Sequence, residues 1–163
     1  MRALGTIGAA LAAGTLALGL QAGAYATTIL GTSGADDLHG TSSADTIKAR
    51  GGDDVVHGGA GDDKIYGDRG SNTLYGGPGN DEILAATNGK VDHVFGGTGD
   101  DEILVNETDR VHAGSGNDVI DAFYTRPGMR IDCGTGRDKV FFNDAHPGVV
   151  LTGCEIVRIH QAG

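Results

Sequence analysis

The sequence predicts an all-β fold: a parallel β-roll, that is, a two-sided β-solenoid of nine-residue repeats, preceded by a signal peptide. Three observations carry this expectation. A pattern G-G-x-G-x-D-x-U-x, with U a large aliphatic residue, recurs along the chain. Glycine supplies 30 of the 163 residues, and since Gly loses more freedom on ordering than any other residue, so many of them require positions that only Gly fits. Trp is absent and aromatic residues make up 5%, which leaves an ordinary globular core thin.

The elements follow in chain order. Met1 and Arg2 form a short positive start, and an apolar run rich in Ala, Leu and Gly extends from Ala3 to Leu20. It ends at Ala24-Tyr25-Ala26, the small-x-small pattern of a signal-peptidase site, which places cleavage after Ala26. The expected division is therefore 1–26 as signal peptide and 27–163 as one repeat domain. The run is also about long enough to act as a membrane anchor. After cleavage no other run approaches that length, so the mature protein is expected to be soluble and extracellular.

Four repeats are complete: Gly58 to Tyr66, Gly76 to Leu84, Gly96 to Leu104, and Cys133 to Phe141 with its first Gly replaced. Ala113 to Asp121 is a close fifth. Looser copies run from Gly31 to His39, Gly40 to Lys48, Ala49 to His57 and Gly67 to Tyr75. The first six residues of each repeat form a tight loop, and the last three form a short strand whose middle residue points inward. The inward column reads Leu38, Ile47, Val56, Ile65, Leu74, Ile83, Val94, Ile103, Val111, Ile120, Ile131 and Val140. Two repeats make one coil, with a loop at each end.

These repeats resemble the RTX, or haemolysin-type, calcium-binding nonapeptide over about Gly31 to Val157, and several copies in register make the likeness specific. The ending CGTGRDKV…GCEIV is similar to the closing turns of secreted actinobacterial members of that group. The resemblance implies calcium binding. One departure stands out: many members are exported by an uncleaved C-terminal signal, whereas this chain carries an N-terminal one.

Because alternate repeats stack, the loop aspartates sort into two columns. Edge one carries Asp45, Asp63, Asp81, Asp101, Asp118 and Asp138; edge two carries Asp36, Asp54, Asn72, Asp92, Asp109 and Met129. The complete motifs all fall on edge one. Coils about 4.8 Å apart set neighbouring carboxylates against one another at roughly 3 to 4 kcal/mol per pair, for an effective dielectric of about 20. A divalent cation between them reverses that sign. Calcium suits the loops, since it takes six to eight oxygens in flexible geometry, whereas magnesium holds a strict octahedron and keeps its waters. Transition metals favour imidazole or thiolate, which the loops lack, and no Cys/His spacing points to zinc. The expected ligands are the six aspartates of edge one together with the carbonyls exposed by Gly59, Gly61, Gly77, Gly79, Gly97, Gly99, Gly114, Gly116, Gly134 and Gly136. Edge two adds Asp36 and Asp54. Ser43 stands where the third Gly of its loop belongs, which weakens the 45/63 pair. Asp53, Asp62 and Asp100, beside the principal aspartates, serve either as outer negative charge or as turn-forming residues.

The chain carries 22 acidic and 12 basic residues, and loss of Arg2 takes the net charge from −10 to −11. That argues against nucleic acid and anionic membranes as partners and suits a cation. A protein or carbohydrate partner is left open. In an exported chain Cys133 and Cys154 are expected to form a disulfide that caps the stack, with free thiols as the alternative.

The leading functional expectation is a non-enzymatic, calcium-binding structural or interaction module whose folding depends on calcium. H-E-x-x-H and G-x-S-x-G are absent, which removes two hydrolase chemistries. A calcium-dependent lyase acting on polysaccharide stays open through Arg126, Arg130 and Arg137, and a cell-surface adhesin stays open too. The outward position before U (Asp37, Thr46, Val55, Lys64, Thr73, Glu82, His93) is too irregular and charged for an ice-binding face. His39, His57 and His112 share one outward position and read as a surface ladder.

Overall fold

A computed structural model describes residues 25–85, 90–143 and 148–159. The expected signal peptide thus falls, but for Tyr25 and Ala26, outside the described residues, among which no helix is long and apolar enough to cross a membrane. The strands are β1 (Thr28–Leu30), β2 (Asp37–His39), β3 (Thr46–Lys48), β4 (Val55–His57), β5 (Lys64–Tyr66), β6 (Thr73–Pro78), β7 (Glu82–Leu84), β8 (His93–Thr98), β9 (Glu102–Asn106), β10 (Arg110–Gly116), β11 (Val119–Phe123), β12 (Arg130–Gly136), β13 (Lys139–Phe142), β14 (Val150–Thr152) and β15 (Ile156–Ile159). Odd-numbered strands form one eight-stranded sheet and even-numbered strands a seven-stranded one. Every pairing is parallel, as two repeats per coil requires; Ile47, for example, sits beside Ile65, and Ile65 beside Ile83.

The inward column is the core. All twelve of its residues are buried, from Leu38 to Val140. One aliphatic per repeat suffices because each side chain meets its opposite number from the other sheet and its copies above and below. Burying each stabilises the fold by about 1.5 to 3 kcal/mol. Met129, which replaces an aspartate on edge two, is also fully buried and joins this apolar core.

The strands depart from the expected three residues in the later coils. β6, β8, β10 and β12 run on into their glycine loops, where Gly77 pairs with Gly97 and Gly114 with Gly134. Loops of identical shape, stacked in register, continue the parallel ladder that the strands begin. The coil also starts earlier than Gly31, since β1 pairs with β3. At the far end Cys133 and Cys154 are disulfide-bonded, with Cα atoms 5.2 Å apart. This bond holds the segment leading into β15 against the last complete repeat, and β15 pairs with β13.

Candidate metal centre

The loops of edge one can stack only because their glycines lack Cβ. At Gly97 φ is +122°, a conformation that L side chains avoid, and a Cβ there would lie 2.1 Å from the Gly77 carbonyl oxygen. At Gly96 it would lie 2.4 Å from Asp101 Oδ2. Glycine carbonyls of successive loops thus line up beside the aspartates.

The six aspartates of edge one form one continuous ladder. The Asp45 N–H donates to Asp63 Oδ1 (2.7 Å), and Asp63 to Asp81 (2.9 Å). The series continues from Asp81 to Asp101, Asp101 to Asp118, and Asp118 to Asp138. Thr27 opens it, donating to Asp45 Oδ1. Glu155 closes it, accepting from the Asp138 N–H at 2.8 Å. All six aspartates are at most 2% exposed.

Each of these carboxylates has a second oxygen, and here the loops differ. Oδ2 of Asp63, Asp81, Asp101, Asp118 and Asp138 is buried and meets no donor. Asp45 Oδ2 instead accepts the Thr41 N–H (2.5 Å), and Asp36 Oδ2 accepts both the N–H and the hydroxyl of Thr32. The cause is the second residue of the loop. Thr41 turns its N–H onto its own loop's aspartate. Gly59, with φ of +115°, turns its N–H to the Gly76 carbonyl of the next coil and leaves Asp63 Oδ2 bare. A second loop residue with positive φ, such as Gly59, Gly114 or Arg50, therefore leaves its own loop's buried Oδ2 with no proton directed at it.

Edge two satisfies only part of its own column. Asp109 accepts from Asp92 N–H on one oxygen and Asn106 N–H on the other. Asn72 replaces a carboxylate with an amide whose Nδ2 donates to the Gly67 carbonyl, while its Oδ1 accepts from Asp54. Asp54 itself keeps a bare buried Oδ2.

Burial pushes the carboxyls of Asp63, Asp81, Asp101, Asp118 and Asp138 above their ordinary 3.8, and the charges of neighbouring acidic residues add to this. Asp63 and Asp118 rise to about 6 and Asp101 to about 7, while Asp81 and Asp138 also rise. The ladder hydrogen bonds pull the other way but do not offset burial. Hard oxygen donors, dense negative charge and bare buried lone pairs fit calcium.

Asp62 and Asp100 take a structural part in a second ladder on edge one, and Asp53 makes the matching bond on edge two. Asp53 Oδ1 accepts the Ser71 N–H, Asp62 Oδ1 the Asn80 N–H, and Asp100 Oδ1 the Asn117 N–H. The three arginines of the lyase alternative do not converge. Arg126 faces Glu107, Arg130 lines a groove with His93 and Phe95, and Arg137 lines a different one with Asn117 and Lys139.

Sequence reasoning missed Glu155, although E-I-V there repeats the spacing of D-x-U. It also missed that Tyr75 and Phe95 complete the outer ladder. His39, His57, Tyr75 and Phe95 stack in turn at 4.7, 4.7 and 4.8 Å between ring centroids, and Phe95 leans on His112 at 6.4 Å.

The family model of the RTX calcium-binding nonapeptide repeat (4 copies) matches residues 30–65, 57–86 and 105–123. Those stretches include Asp45, Asp63, Asp81 and Asp118 of edge one. Asp101 and Asp138 lie outside them yet occupy the same ladder. No curated protein matches the chain. The chain carries RTX calcium-binding nonapeptide repeats, wound into a parallel β-solenoid, and such repeats bind calcium.

Proposed function

We propose that this chain is an exported, non-enzymatic module whose β-solenoid forms when calcium fills edge one. The observation that carries this reading is the run of five buried carboxylate oxygens, from Asp63 to Asp138, that meet no donor. Each ion lies between successive loops, at the pairs 63/81, 81/101, 101/118 and 118/138. Asp54 offers a weaker place on edge two. Asp36 and Asp45, whose second oxygens are already satisfied, bind calcium less well than the other aspartates.

Folding follows from the same arrangement. Without calcium the buried carboxylates repel one another while the glycines resist ordering. With it, each occupied site adds about 1.4 kcal/mol when calcium is ten times Kd. Extracellular calcium modules commonly bind at about 10⁻⁴ to 10⁻³ M, so the chain stays unfolded in a low-calcium cytoplasm and folds after export. The apolar run Ala3 to Leu20, the Ala24-Tyr25-Ala26 site and the Cys133–Cys154 bond support export. Circular dichroism with calcium and then with chelator tests the reading. Strand signal that appears only with calcium supports it; full strand signal in chelator at neutral pH contradicts it.

A further inference from the structure

On the outer face of the seven-stranded sheet, three side chains converge that the repeat does not explain. Asp37 and His39 are two apart on β2, so both point outward. The parallel register sets His57 of β4 directly beside His39. One ligand atom from each, a carboxylate oxygen and two imidazole nitrogens, lies within 4.8 Å of the other two. Asp37 Oδ1 is 2.9 Å from His39 Nε2, and both side chains are about half exposed. We propose that Asp37, His39 and His57 form a second metal site, taking one divalent transition-metal ion of the zinc, nickel or copper class.

The chemistry separates this site from the calcium column. Imidazole suits zinc, copper and nickel, while carboxylate and carbonyl oxygens suit calcium. Three protein ligands on an open face leave a position for water, the arrangement zinc accepts outside closed structural sites. His39 and His57 stack with planes 6° apart, and Tyr75 stacks on the far side of His57 at 4°. Parallel rings aim their nitrogen lone pairs side by side, so sharing one ion requires the two imidazoles to turn about their side-chain torsions until the nitrogens converge. The other histidine–carboxylate pair on this face, His112 with Asp132, has one imidazole and one carboxylate, so it serves as a control.

The test is calorimetric titration of Zn²⁺ into the full chain with calcium saturating, so that failure of the calcium reading registers separately in the calcium titration. We expect one Zn²⁺ per chain, lost in His39→Ala and in His57→Ala and retained in His112→Ala. Removing an outer partner of a metal ligand already costs roughly 10- to 100-fold in affinity, so loss of a ligand should cost at least that. The Cu²⁺-loaded chain should show electron-paramagnetic coupling to two imidazole nitrogens, falling to one in either variant. This readout stands even where a variant folds poorly, because the wild type alone shows or lacks it. Absence of stoichiometric Zn²⁺ binding, or unchanged binding in His39→Ala and His57→Ala, overturns the proposal.

Discussion

Replacing Asp101 by Asn separates the two roles of the carboxylate column. The amide keeps an oxygen that can accept the Asp81 N–H, at 2.9 Å in the wild type. It removes the charge from the bare Oδ2. Asp101 is shared by the pairs 81/101 and 101/118, so the change weakens two calcium sites. At calcium ten times Kd these contribute about 1.4 kcal/mol each, and we expect a loss of about 3 kcal/mol. In chelator the sign inverts. At pH 8 Asp101 is ionised between Asp81 and Asp118, and neutralising it removes two like-charge contacts, so the metal-free coil gains stability. Asp101→Ala should lose a further 1 to 3 kcal/mol or so in either condition, because it strands the buried Asp81 N–H. Urea unfolding followed by circular dichroism at pH 8 in saturating calcium reads the losses, and the concentration of a stabilising osmolyte needed to restore strand signal at pH 8 in chelator reads the metal-free effect. If Asp101→Asn destabilises equally in both conditions, or leaves the calcium stoichiometry unchanged, the shared-site reasoning fails.

Further outcomes follow from the same geometry. Gly97→Ala forces a Cβ to within 2.1 Å of the Gly77 oxygen, so it should abolish cooperative folding at calcium levels that fold the wild type. Gly128→Ala has a similar positive φ but nothing within 4 Å and should cost only about 1 to 2 kcal/mol on thermal unfolding. The pH dependence has a definite sign. The folded metal-free coil holds protons on Asp63, Asp101 and Asp118 up to about 6 to 7, which the unfolded chain releases near 3.8. That contribution is fully present below about pH 4 and is lost as pH rises through 6 to 7. Chelated protein should therefore gain strand signal on acidification, while calcium affinity should fall over the same window as protons compete. The double variant Cys133→Ala/Cys154→Ala opens a closed segment with a sequence separation of 21 and should cost about 3 kcal/mol in thermal unfolding. Calcium binding at Asp81 and Asp101 should be unaffected.

The inward column was legible from Leu38 to Val140 because a nine-residue repeat with one aliphatic at a fixed place leaves that residue nowhere else to go. The two edges were legible for the same reason: two repeats per coil put Asp63, Asp81 and Asp101 above one another wherever the loops are intact. What the pattern could not carry depends on backbone direction or on pairs from different coils. The contrast between Asp45 and Asp63 turns on whether Thr41 or Gly59 directs its N–H toward the carboxylate. The letters already weaken the Asp45 loop through Ser43, but they do not show that Thr41 directs its N–H onto the carboxylate. Glu155 escaped because the register is 17 residues there and the acid is a glutamate. The His39–His57 pairing was visible as a shared outward position, but its convergence with Asp37 needed the cross-strand register.

The central claim is that calcium occupies edge one between successive aspartates. Crystals grown in saturating calcium, with anomalous diffraction collected at long wavelength, test it most directly. Peaks between Asp63 and Asp81, Asp81 and Asp101, Asp101 and Asp118, and Asp118 and Asp138 are the expected result. An intact column of these residues with no peak along it would contradict the account.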